Sequence, residues 1–330
     1  MLRTTTARFA AAAQHPRVLI TGGLGQVGTD LATVLRGKYG KDNVIVTDIR
    51  RVDETVRATG PYQYLDVVSG AQTLEKMVVD ENIDWVIHNS AIMSVLGEQI
   101  PHKAMDLNID GVRNVFEVCR KHNCRVFCPS SMAAFGADCG KVMTKDDTIL
   151  NPTTIYGITK VFMEQLGSYY NRKFGMDFRC LRYPGIISAP TLPGGGTTDY
   201  AIHMFHSALN NEKYTSPVLA DEPLPMMYVD DCINGTVQFL EAPREKLTRS
   251  VYNVAGFSFS PKDLHESIER SGRKLEMAYE KGIAQDIAHS WPDSMDDSNA
   301  RKDWNWSPEY DLDGMTAKMF ELIPKYHKLK

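Results

Sequence analysis

The 330-residue sequence predicts an α/β fold, a doubly wound parallel sheet followed by a smaller C-terminal region. Three observations carry that reading. Short, wholly apolar runs alternate with longer segments of helical periodicity, the pattern of a parallel sheet covered by helices on both faces. The first run, Val18 to Thr21, breaks off into glycines that include Gly22, Gly25 and Gly28, and a helical pattern follows at once. After Pro184 the alternation gives way to "GIISAPTLPGGGTTDY", a loop, and then to mixed short elements. Together these predict a Rossmann domain over residues 17–184 and a mainly substrate-binding region over 185–330, with segments returning to the sheet.

The opening segment, residues 1–16 ("MLRTTTARFAAAAQHP"), holds arginines, threonines and an alanine run, with no acidic residue before Asp30. Such a composition reads as an organellar transit peptide, with a frayed terminus as the alternative. The strand Val18 to Thr21 then turns on glycines into a helix whose first N–H groups have no partner of their own, a ready site for a pyrophosphate. Gly22 makes the tight turn, Gly25 lets the backbone approach the phosphates and Gly28 lets helix and strand pack closely, with Gln26 and Val27 between them. The next strand, "NVIVTDI", ends on Asp48, twenty positions after Gly28, where the dinucleotide fingerprint places a carboxylate for the adenosine ribose hydroxyls. Ile49 and Arg50 flank the same site. Arg50 and Arg51 are suited to a 2′-phosphate, which Asp48 would repel, so NAD is expected over NADP. Further strands are predicted at Tyr62 to Leu65, Trp85 to Asn89, Val126 to Ser130 and Asp177 to Tyr183, with helices at Asp106 to His122 and Thr153 to Phe174. Returns to the main sheet are expected near "PMMYVDDC" and "VYNVAG".

Composition excludes several classes of function. A net charge of −4 gives no footprint for nucleic acid, and no apolar run approaches the roughly 20 residues of a membrane span. The six cysteines lack paired metal-type spacing and read as reduced thiols, so no metal is expected.

The chemistry gathers on three residues. The strand "CRVFCPSSMAAFG" ends in Ser130 and Ser131 at the edge where this fold places its ligands. Downstream, "NPTTIYGITK" puts Tyr156 and Lys160 one helical turn apart on one face. An ammonium beside a phenol favours the phenolate, which makes Tyr156 a general base. The same spacing recurs at Tyr169/Lys173 and Tyr326/Lys330. Tyr169 lies about 220° further round the same helix and Tyr326 in a terminal tail, so only the first pair follows a serine-tipped strand.

Taken in order, "TGGLGQVG", "TDI", "LDV", "HNSA", "NIDGVRNV", the serine strand, Tyr156 with Lys160, and "LRYPGII" resemble the extended short-chain dehydrogenase/reductase family, the group of the UDP-galactose epimerases. Within it, "RYPGIIS", "PGGGTTDYA", "MMYVDDC" and "SWPDSMDDSNARKDWNW" resemble the short-chain type L-threonine 3-dehydrogenases, those of trypanosomatid mitochondria in particular. The resemblance implies NAD held also by Asp66, Val67, Ser90, Ala91, Asn108, Lys160, Pro184 and Ile186, with Asn108 ordering the active-site helix. It implies L-threonine held by Ser94, Ser131, Tyr156, Gly195, Thr197, Thr198, Asp199 and Trp291, with Asp199 near the ammonium and the glycine loop's amides near the carboxylate. Ser131 rather than Ser130 becomes the catalytic serine. A homodimer through a four-helix bundle and a mitochondrial matrix location are implied as well. A nucleotide-sugar epimerase or dehydratase is the nearest alternative, but no arginine or lysine lies between Gly185 and Asn211 to clamp a diphosphate. An NAD-binding regulatory protein without catalysis is the alternative of another class.

Overall fold

The computed structural model describes residues 15–328. The leader reading falls on residues 1–16, of which 1–14 lie outside the described residues, as does Lys330. The strands, in chain order, are β1 (Val18–Thr21), β2 (Val44–Asp48), β3 (Tyr62–Tyr64), β4 (Trp85–His88), β5 (Arg125–Phe127), β6 (Ser130–Ser131) and β7 (Phe178–Tyr183). They continue with β8 (Gly185–Ile187), β9 (Tyr214–Ser216), β10 (Leu224–Tyr228), β11 (Val251–Asn253), β12 (Phe257–Phe259) and β13 (Met277–Tyr279). The main sheet runs β11-β7-β5-β4-β1-β2-β3, and every pairing in it is parallel. The chain winds outward from β1 to β3, then restarts at β4 on the other side, leaving a crevice at the carboxyl ends of β1 and β4.

Neighbouring residues of each strand go to opposite faces. Val18 and Ile20 enter one core and Leu19 the other; Val44 and Val46 part from Ile45 in the same way, and Ile87 from Val86. Both faces are dry, which is why these strands carry no polar alternation. Helices Ala71–Asp80, Val112–His122 and Ile155–Phe174 close one face, while Gln26–Tyr39 and Val229–Glu241 close the other.

Three expected elements differ. The strand expected over Val126 to Ser130 is two strands: β5 pairs with β4 and β7, and β6 continues further along β7 after a break at Cys128 and Pro129. Proline has no N–H to give a ladder, so the chain breaks there and Ser131 stands at the tip. β11 joins the main sheet beside β7 as expected, but β10 forms a separate sheet with β8 and β12. The helix expected from Asp106 starts earlier, at Pro101, and passes through a π-helical stretch at Asp106–Gly111. Wide turns of this kind accompany functional sites.

Helix Gln26–Tyr39 also carries a half-buried carboxyl. Asp30 Oδ2 has no hydrogen-bond partner among the described residues, and burial, with Asp230 second, pushes Asp30 up to about 6. A carboxyl raised on folding stabilises the native state below its unfolded pKa and loses that contribution as pH climbs through the folded value. Asp30→Asn is therefore expected to gain about 1 kcal/mol at pH 7.5, after allowance for solvent screening, and nothing at pH 4. Denaturant melts at the two pH values check it; an equal gain at both overturns it.

Candidate active site

At the carboxyl end of β1 the backbone turns through Gly22 at φ 62°. A methyl group at Gly22 would lie 2.6 Å from Ser90 N, and one at Gly28 would lie 2.7 Å from Gly22 O, so both positions are closed to side chains. At Gly25 the nearest atom would be 3.3 Å away, on the open side. Helix Gln26–Tyr39 starts at Gly25 with no side-chain cap, and Gly22 and Gly25 line a cavity of about 670 Å³. Gly22 and Gly28 are thus the tight positions of the turn and Gly25 the open one.

That cavity brings together Gly22, Gly25, Asp48, Ile49, Arg50, Asp66, Val67, Ser90 and Ala91. Asp48 is aimed by Leu24 N–H on Oδ2 (3.1 Å) and Arg50 N–H on Oδ1 (3.1 Å). Asp66 accepts from Ser69 Oγ (2.6 Å) and Val68 N–H (2.9 Å), bonds that hold its carboxyl below the usual range, Ser69 contributing most. Sequence reading missed Tyr64, Asn89, Lys103 and Leu107 on the same walls. Ile49 and Tyr64 are each 62% exposed and leave large apolar faces open on these walls. A bulky exposed aromatic ending a strand was the available signal. Val27 and Gly28 lie under the cradle and not on the cavity wall, and the buried Gln26 Nε2 has no partner among the described residues.

Thr154 caps helix Ile155–Phe174 by accepting from Gly157 N–H (3.1 Å), and Glu98 Oε1 accepts from Ile155 N–H (2.8 Å). These fix the first turn, on which Tyr156 sits 5% exposed. Lys160 Nζ lies 5.3 Å from the Tyr156 ring centroid and donates to Pro129 O at 2.7 Å. Burial is the largest single influence and works against the Lys160 charge, but Tyr156, Cys128, Cys180 and Glu164 together outweigh it, and the ammonium is held above its ordinary pKa. His88, on β4, donates or accepts through Nδ1 with Thr21 Oγ1 (2.7 Å), and burial, with Lys160 second, takes it down to about 3. The imidazole stays neutral, and Lys160 is the cation beside the phenol.

Ser131 Oγ, at the tip of β6, accepts from Ala133 N–H (3.2 Å) and is half-exposed, whereas Ser130 is 2% exposed. Gly157 presses on the same 3₁₀ turn: a methyl there would strike Ala133 O and come within 2.6 Å of Pro152 Cβ. The serine tip and the tyrosine turn are thereby fixed to one another.

The remaining predicted residues fall into separate arrangements. Asn108, 4% exposed on the π-helical stretch, bonds Ile92 N–H (2.9 Å), Ile92 O (3.0 Å) and Thr159 Oγ1 (3.2 Å), so its side chain positions the 92 loop and the Tyr156 helix. Ser94 Oγ meets Thr197 Oγ1 at 3.1 Å, both buried, and helix Ser94–Gln99 packs through Gly97 on the Ile155–Tyr156 turn. Thr198 packs on Gly185, beside Pro184 and Ile186. Asp199 Oδ2 accepts from Gly195 and Gly196 N–H, 2.8 Å each. The two glycine amides expected for a substrate carboxylate are thus engaged with Asp199. Trp291 is 4% exposed, and its indole N–H has no partner among the described residues. The described residues include no metal-type cluster.

Residues 18–255 match the NAD dependent epimerase/dehydratase family. The chain belongs to that family. Its cofactor is NAD, and the open cradle at Gly25, the uncapped helix start and Asp48 at the end of β2 suit a dinucleotide. Among family members, the mitochondrial L-threonine 3-dehydrogenase of Bos taurus is 46% identical over 308 residues, 93% of this chain and 82% of that protein. The structure of L-threonine 3-dehydrogenase from Trypanosoma brucei is similar at TM-score 0.92 and 54% identity, covering 95% of this chain and 98% of that one. The holo form of a GalE-like L-threonine dehydrogenase from Cupriavidus necator follows at TM-score 0.89 and 41% identity, covering 93% and 99%.

Proposed function

We propose that this protein oxidises L-threonine at C3 with NAD, yielding 2-amino-3-oxobutanoate. The observation that carries the reading is Lys160 Nζ 5.3 Å from the Tyr156 ring, with Ser131 at the tip of β6 against the turn on which Gly157 packs, in a chain whose relatives at 46% and 54% identity are L-threonine 3-dehydrogenases. Ser131 Oγ and the Tyr156 phenol hydrogen-bond the C3 oxygen. Tyr156, as phenolate, takes the hydroxyl proton while the C3–O bond becomes a carbonyl, and Lys160 lowers the cost of the phenolate. The glycine cradle, Asp48 and Asp66 would hold the adenosine and diphosphate of NAD and Lys160 the nicotinamide ribose, and the cofactor so held would supply the acceptor for the hydride leaving C3. A panel of L-threonine, L-serine and UDP-galactose with NAD and NADP, followed at the NADH absorbance, tests this: threonine with NAD should be fastest, and faster turnover of the UDP-sugar sinks it.

Asp199 acts here through the loop. With its carboxylate gone, the Gly195 and Gly196 amides lose their acceptor, and two bonds of about 1 kcal/mol each stop shaping the segment that carries Thr197 and Thr198. Asp199→Ala should raise the threonine KM about tenfold or more while the NAD dissociation constant stays within about twofold. Unchanged threonine kinetics would sink this role.

A mitochondrial matrix location and a homodimer complete the proposal. No helix of the described residues is long and apolar enough to cross a membrane, and the bovine relative is mitochondrial. Helix Ile155–Phe174 leaves Ile158 and Tyr169, each 47% exposed and three turns apart, on one outer face suited to a second copy. Sedimentation of the purified protein tests the dimer.

A further inference from the structure

Beside the adenosine end of the cofactor cavity lies another cavity of about 400 Å³, between helix Gln26–Tyr39 and the segment leading from β2 into helix Glu54–Thr59. Three arginines line it, Arg36, Arg50 and Arg51. Arg36 is half-buried and pairs with no carboxylate among the described residues. Its donors go to the carbonyls of Val44 (3.2 Å) and Pro61 (2.8 Å) and to Thr59 Oγ1 (2.8 Å). Burial lowers its pKa, and no anion offsets that cost. Arg51 makes no hydrogen bond or ion pair among the described residues. The carboxylate on the wall, Asp53, is spent on its own helix, accepting from Thr55 Oγ1 (2.6 Å) and Val56 N–H (3.1 Å). The concavity therefore holds an excess of positive charge in planar forks, the form of donor that suits phosphate oxygens.

We propose that this cavity binds a phosphate dianion and that its occupation tightens the binding of NAD. The coupling runs through Arg50, which lines both cavities. Its Nε sits 3.3 Å from Asp48 Oδ1 and competes with any ribose hydroxyl for that oxygen. A dianion held by Arg51, with the Arg36 charge behind it, draws the Arg50 fork toward itself and releases Oδ1 to the ribose. By linkage, NAD then tightens phosphate by the same factor. The phosphate is either free in solution or carried on the cofactor's ribose 2′ position; Asp48 opposes the second source more strongly, because the 2′ position adjoins its carboxylate.

The coupling, unlike the site itself, rests on the NAD reading. Calorimetric titration of the purified protein with inorganic phosphate, and with NAD in phosphate against sodium chloride at matched ionic strength, tests both. Phosphate should bind the NAD-free protein, and NAD should bind about fivefold more tightly in phosphate than in chloride. Arg51→Ala, a change at an exposed and unpaired side chain, should abolish both effects. NADP separates the sources: if its 2′-phosphate fills the cavity, NADP binds within about tenfold of NAD and Arg51→Ala weakens NADP alone. Absence of phosphate binding together with an NADP affinity that Arg51→Ala leaves unmoved overturns the site. Phosphate binding with no gain for NAD overturns the coupling. No binding of NAD even in chloride defeats the cofactor reading instead.

Discussion

Tyr156→Phe is expected to lower kcat by about 10³-fold while the NAD dissociation constant changes by less than about twofold. The ring, 5% exposed on the first turn of helix Ile155–Phe174, stays packed, and Lys160 keeps its bond to Pro129 O. What disappears is the group proposed to take the C3 hydroxyl proton. His88 cannot replace it, because burial and the nearby Lys160 leave its pKa at about 3 and Thr21 engages its Nδ1. Single-turnover rates and NAD titrations on the same preparation distinguish the outcomes. A variant that keeps a tenth or more of the normal rate removes Tyr156 as the base.

Gly157→Ala should cost about 10²-fold in kcat without touching any group that reacts. The added methyl would collide with Ala133 O, a backbone atom, and lie 2.6 Å from Pro152 Cβ. Neither neighbour is the free end of a flexible side chain, so the helix turn must back away from the 3₁₀ turn, and Tyr156 moves relative to Ser131. Displacements of about 1 Å between reacting groups are enough for losses of this size. Overpacking also destabilises, by about 1–3 kcal/mol, so the kinetics are compared well below the melting temperature. Unaltered kcat with reduced stability would show that the separation of serine and tyrosine is not set here. The NAD affinity should hold, since the cradle at Gly22, Gly25 and Gly28 belongs to other elements.

Much of the cofactor half was legible because its signals are local. Gly28 is demanded by contacts within one strand-turn-helix unit, Gly22 turns there at φ 62°, and Asp48 ends the strand beside them. Tyr64 and Lys103 were not legible, since they reach the cavity only through the pairing of β3 with β2 and the docking of helix Pro101–Met105. Asn108, expected from the resemblance to hold NAD and to order the active-site helix, bonds Ile92 and Thr159 in the manner of the second role. Asp199 shows the limit from the other side. A carboxylate after three glycines looks available to a ligand in the sequence, while the folded loop turns two of those amides onto it.

By itself the sequence determined the parallel sheet and its winding, the dinucleotide cradle, the preference for NAD implied by Asp48, and the Tyr156/Lys160 pair. These follow from periodicity, glycine geometry and helical spacing, all of which act over a few residues. Tertiary structure alone decided which serine is exposed, through the break that Pro129 puts between β5 and β6. It also decided that β10 leaves the main sheet for β8 and β12, and that Ser94 meets Thr197 across the site. The reason is physical: strand partners and side-chain contacts between distant segments are chosen by competition for buried surface and hydrogen-bond partners in the folded chain, and that competition leaves no mark on the local pattern of residues.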